Sequence, residues 1–153
     1  MEVATLARNL VLVGMMIWMC VWDIRTRLIP ISAVVGICIA QAAWLWACAE
    51  SPMMGALAEM RAFASSLGVF AGLLLACAVV RQVSGREGLG GGDVKLLAAL
   101  GSVFGAWGVL RVMLIACVAA TVVCLVFRKG MNEPFAFCPY IAFGCLAAWE
   151  LGP

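Results

Sequence analysis

Six apolar stretches, each cut from the next by charged or turn-forming residues, account for most of this chain. They run from about Ala4 to Trp22, Pro30 to Ala49, Ala62 to Val83, Val94 to Trp107, Val109 to Phe127 and Pro134 to Leu151. A helix that crosses a bilayer needs about 20 predominantly apolar residues, so the pattern predicts about six transmembrane helices. The boundary between the fourth and fifth falls near Gly105-Ala-Trp-Gly108. Pro30 suits the first turn of the second helix, where its missing N–H is not needed. Gly14, Gly36, Gly68, Gly72, Gly101, Gly105 and Gly144 supply small faces on which helices can approach closely.

The basic residues give this bundle a direction. Arg25, Arg27, Arg81, Arg86, Lys95, Arg128 and Lys129 fall in or beside the loops after the first, third and fifth stretches, against Arg8, Arg61 and Arg111 on the other side. By the positive-inside rule the first group is cytoplasmic and both termini lie outside. The first stretch lacks a basic leader and a small-residue cleavage site, so it reads as a retained span rather than a secretory signal.

Composition sharpens the picture. Of 153 residues 66% are hydrophobic and 12% charged, with a mean hydropathy of +1.12. A soluble domain is typically about half apolar and a quarter charged. Six spans use nearly all of the length, which predicts one integral-membrane domain over residues 1–153 and no separate soluble one. A net charge of +2 is too small to imply nucleic acid; membrane lipid is the expected surrounding. Histidine is absent, which removes Ser–His and Cys–His catalysis and histidine-ligated zinc. The eight cysteines lie scattered in apolar runs without CxxC spacing, so they read as small core residues, with no metal or other cofactor implied.

What remains is two aspartates, Asp23 and Asp93, each where an apolar run meets a short basic loop. A carboxylate at membrane depth costs a few kcal/mol on insertion scales, which makes it a functional candidate. Asp93 follows Gly90, Gly91 and Gly92, a run whose freedom at positive φ and lack of side chains let the chain turn tightly or let another backbone lie against it. Taken singly, Asp93 also suits an N-cap of the fourth helix, and Asp23 an interfacial helix end. Taken together, two carboxylates close enough to share a proton divide into acid and base. Such a pair activates water against an amide without metal or covalent intermediate. Helix-end arguments favour Asp93 as the ionised base, at a helix start beside Lys95, and Asp23 as the protonated partner at a helix end. A small transporter using the two aspartates for ions or protons is the alternative, and would place a carboxylate near mid-membrane.

Three segments carry a family resemblance. Asp23-Ile-Arg-Thr-Arg-Leu-Ile-Pro30 resembles the first aspartate motif of the prepilin peptidases. Gly90-Gly-Gly-Asp-Val-Lys-Leu96 is similar to their G-x-G-D motif. Glu133-Pro-Phe-Ala-Phe-Cys-Pro-Tyr-Ile-Ala-Phe-Gly144 resembles their last-helix pattern. The resemblance implies a membrane aspartic endopeptidase with Asp23 and Asp93 as the catalytic pair and Gly90 and Gly92 shaping the second motif. It implies a prepilin or pseudopilin substrate with a hydrophobic helix, cleaved at the cytoplasmic face of the bacterial inner membrane. Ile31 stands where the family often has Asn, and Phe135-Ala-Phe-Cys-Pro139 departs from the usual Pro-Phe-Gly-Pro. Only a few residues separate Trp22 from Pro30, leaving no cysteine-rich zinc insertion and no expected methyltransferase. That resembles the short form associated with Flp-type pili.

Overall fold

The computed structural model describes residues 2–85, 89–126 and 136–150, the side chain of Glu150 excepted. They form α1 (Glu2–Thr26), α2 (Ile31–Cys48), α3 (Pro52–Ser84), α4 (Gly91–Val126) and α5 (Cys138–Glu150), with no strand among the described residues. Four of these helices are long and apolar enough to cross a membrane and α5 is shorter. The protein is an all-α polytopic membrane bundle, as the apolar pattern predicts.

Several helix ends differ from expectation by a local cause. α3 begins at Pro52 rather than Ala62, because Ser51 caps it: the Met54 N–H donates to Ser51 Oγ at 3.3 Å, with Pro52 in the first turn. α2 begins at Ile31, and Pro30 is its cap, extended at φ −68° and ψ 124°, rather than its first residue. The Pro30 carbonyl accepts from the Ala33 N–H at 3.1 Å. Arg86, Arg128, Lys129 and the segment Glu133–Phe135 lie outside the described residues.

α4 is not straight over its 36 residues. The break is Gly105, at φ 71° and ψ 174°. Contacts with α5 show the direction on each side of it. Phe104 packs edge-on against Trp149, ring centres 6.1 Å apart, near the far end of α5. Seven residues beyond Gly105, Val112 lies against Gly144 in the middle of α5, where a methyl group would sit 2.5 Å from the Val112 carbonyl oxygen. The chain therefore reverses at Gly105 and runs back along α5. The expected boundary near Gly105–Gly108 is thus a sharp kink at Gly105, where two helices meet without a loop between them.

The core is built from α4 and what surrounds it: Leu96, Leu97, Val109 and Val112 are fully buried with Met19, Ile37 and Ile141. The outward faces carry large apolar side chains such as Leu75, Trp107, Leu114 and Leu125, as lipid contact requires. Three of the glycines hold close crossings: Gly36 against Met15, Gly101 against Ser66 and Val69, and Gly144 against Val112. Gly14, Gly68 and Gly72 meet no neighbour within 4 Å, so the expected packing role does not extend to them.

The two ends of the bundle differ in chemistry. At one, Arg8 hydrogen-bonds Asn9 and the buried Gln41 and lies over the Trp44 ring at 4.1 Å, an aromatic and basic cluster of the kind found at membrane interfaces. At the other end α1 stops, α2 starts and α4 starts. Both aspartates are there.

Candidate active site

Asp23 lies in the last turn of α1 and is 6% exposed. The helix ends because Arg27 takes a left-handed conformation, φ 56°, and its N–H closes on the Asp23 carbonyl at 2.8 Å. A left-handed non-glycine residue costs roughly 1–2 kcal/mol. That strain turns the chain at once into Leu28-Ile29-Pro30 and brings Ile29 under the start of α4. A methyl group at Gly92 would lie 3.2 Å from Ile29 Cβ.

Asp93 occupies the first turn of α4. It is not the cap: the Gly90 carbonyl accepts the Val94 N–H at 3.1 Å, which makes Gly90 the cap and Asp93 the third helical residue. Its carboxylate folds back over Gly90, where a Cβ would meet Asp93 Oδ2 at 3.3 Å. Neither Gly90 nor Gly92 has positive φ; the described left-handed glycines are Gly85 and Gly105. The expectation of a tight left-handed turn at Gly90–Gly92 therefore gives way to close approach, at Gly90 against a carboxylate and at Gly92 against a side chain. Gly91 meets nothing within 4 Å.

The two aspartates, from opposite ends of the sequence motif set, line one cavity of about 310 Å³. They are near enough to interact electrostatically. Arg27, Lys95, Ile31, Val34 and Gly90 to Gly92 complete its wall, with Lys95 exposed at the rim. Pro30 does not line it and acts only by starting α2.

One contact was not legible in the sequence. The backbone N–H of Cys138, the first residue of α5, donates to Asp23 Oδ2 at 3.2 Å. The sequence places the start of this helix at Pro134, so nothing in it brings residue 138 to Asp23. The only local signal is Pro139, which suits a helix's first turn. Among the described residues no hydrogen bond reaches the Asp93 carboxylate. A hydrogen bond to a charged group is worth about 1.5–3 kcal/mol, against up to about 2 kcal/mol for a carboxylate at a partly buried helix N-terminus such as that of Asp93. The α5 contact gives Asp23 a direct donor of a kind that no described residue gives the Asp93 carboxylate.

The cysteines are all free. Cys138 and Cys145 are buried, whereas Cys38 and Cys117 are exposed on the outer faces, so the core reading holds for some of them only. Cys20 and Cys138 bring their sulfurs within 3.8 Å of each other beside Asp23. Among the described residues no three metal-ligating side chains converge.

The chain's relatives bear on this site. It is 37% identical over 115 residues to the prepilin leader peptidase/N-methyltransferase of Burkholderia pseudomallei (strain 1026b), an alignment covering 71% of this chain and 37% of that protein. It is 29% identical over 140 residues to the protein of the same name from Pectobacterium carotovorum subsp. carotovorum, covering 88% of this chain and 48% of that one. The chain thus spans less than half the length of these relatives. No solved structure matches. Residues 10–125 match the model of the type IV leader peptidase family, a span that holds both aspartates and the glycine run at the start of α4, and the chain belongs to that family.

Proposed function

We propose that this protein is a membrane-embedded aspartic endopeptidase that removes the basic leader of type IV prepilins or pseudopilins, with Asp23 and Asp93 as its catalytic pair. The observation that carries this reading is the convergence of the chain's two aspartates on one cavity at one end of the bundle. One carboxylate takes a proton from a water held between the pair as that water adds to the scissile carbonyl. The other carboxyl gives a proton to the developing oxyanion. The tetrahedral intermediate then collapses as the leaving nitrogen is protonated, and the pair returns to its singly protonated state. Two neighbouring carboxyls supply both functions because they resist ionising together.

The distribution of basic residues supports a cytoplasmic position for this cavity, so that the leader meets it before the substrate's hydrophobic helix enters the bilayer. The short turn from Arg27 to Pro30 leaves no inserted module between α1 and α2, as in the short form that the chain resembles, which supports an Flp-type pilin substrate. A transporter would need a carboxylate at mid-depth with access alternating between the two sides. Asp23 is in the last turn of its helix and Asp93 in the first turn of its own, which favours the peptidase.

Co-expression with a prepilin tests the reading by the shift of the pilin to its mature size. Asp23→Asn and Asp93→Asn each lower the cleavage rate by about 10²- to 10⁴-fold, with membrane insertion unchanged. Chelators leave the wild-type rate as it is. Near-normal cleavage by either purified variant removes that aspartate from the mechanism.

A further inference from the structure

We propose that the start of α5 divides the labour within the pair: the Cys138 backbone N–H holds Asp23 as the carboxylate that accepts the water's proton, and Asp93 carries the proton of the resting enzyme. This rests on the peptidase reading and reverses the assignment drawn from the helix ends of α1 and α4 alone.

The geometry at residue 138 makes a directed donor. The Phe137 carbonyl accepts the N–H groups of Tyr140 at 3.0 Å and Ile141 at 3.2 Å, so Phe137 caps the helix. Pro139 has no N–H. Cys138 is left as the residue of the first turn whose N–H points out of the helix, and it points at Asp23 Oδ2. Asp23 is buried, so this donor substitutes for lost water, and a donor to a carboxylate favours its charged form. The helix's positive end adds to the effect in the same sense. The carbonyl of Asp23 itself is satisfied by Arg27, which blunts the unfavourable end of α1.

The other charged or titratable groups around Asp23 are Asp93 and Lys95 from α4, Arg27 after α1, and the thiols of Cys20 and Cys138. α2 contributes only apolar side chains to the cavity. Arg27 and Lys95 line the same cavity as both aspartates. The N–H of Cys138 is given to Asp23 alone.

Cys138 is a positioning residue in this scheme, acting through its backbone. Cys138→Ala keeps the N–H, whereas Cys138→Pro removes it at a helix position that tolerates proline. The chain's having only two aspartates gives a direct readout. Purified protein labelled with [13Cγ]aspartate shows two carboxyl resonances, assigned by Asp23→Asn and Asp93→Asn. In the wild type, the Asp23 signal is expected at its carboxylate position at pH values where the Asp93 signal is still that of a carboxylic acid. This measurement needs no substitution at residue 138. In Cys138→Pro the Asp23 ionisation is expected to move up by about one pH unit, with kcat falling about tenfold at little change in KM. Cys138→Ala is expected to behave as wild type in both respects.

Asp93 ionising before Asp23 in the wild type overturns the proposal, as does a folded Cys138→Pro protein with both resonances unmoved. Cleavage by the Asp→Asn variants fails the peptidase reading instead. An inactive Asn pair with the reversed ionisation order fails only the division of roles.

Discussion

Each residue of the glycine run meets a different neighbour, so the three make separable predictions. At Gly92 a side chain meets Ile29, which can shift a few tenths of an ångström for a methyl but not for a branched side chain. At Gly90 the obstacle is the Asp93 carboxylate, which even alanine displaces. At Gly91 the space is open. Gly91→Ala is therefore expected to cleave at near the wild-type rate, Gly90→Ala about tenfold slower, and Gly92→Val slower still, since displacements near 1 Å at a reacting centre cost about 10²-fold. Initial rates on a purified prepilin check the order; equal rates for all three mean that the run is only a linker.

At the scale of the elements, Gly105 and Gly144 do different work in the α4–α5 packing. Gly105 needs its left-handed backbone but has open space where a Cβ would go. The cost of Gly105→Ala is then conformational alone, about 1–3 kcal/mol for a non-glycine residue at φ 71° and ψ 174°. Gly144 is helical, yet a methyl there would press on a backbone oxygen of Val112, and backbone cannot step aside as a flexible side chain does. Gly144→Ala is expected to lose stability by roughly 1–3 kcal/mol through overpacking instead. It should also lower activity, because α5 carries the N–H that reaches Asp23. Gly14→Ala, with nothing within 4 Å, is the neutral control. Thermal melts in one detergent rank the three.

For the whole molecule the open question is which membrane face the aspartate end occupies. The chain has two lysines, Lys95 and Lys129, and both belong to the basic set expected in the cytoplasm. Lys95 is exposed at the rim of the aspartate cavity. A membrane-impermeant amine reagent is expected to modify Lys95 in inverted vesicles and to spare it in intact spheroplasts, read by mass spectrometry of the peptide that contains it. Labelling in spheroplasts would place the cavity on the outer side and remove access to an unprocessed leader.

The sequence alone carried the bundle, its membrane setting and the two aspartates. Long apolar runs broken by charges have few solutions other than membrane helices, and an ionisable residue at membrane depth stands out against them. The reversal near Gly105 was legible for the same reason, since two short apolar runs met at glycines. Helix starts were less legible. The cap at Gly90 depends on a backbone hydrogen bond that composition does not reveal, and Arg27 holds a left-handed turn in a place where sequence patterns suggest glycine. The relation between Asp23 and α5 belongs to the tertiary structure alone. Local dipole arguments see only the helix on which a carboxylate sits, and those favoured Asp93 as the anion. The N–H that reaches Asp23 comes from residue 138, 115 positions away along the chain, and only the packing of α5 beside α1 brings it within reach.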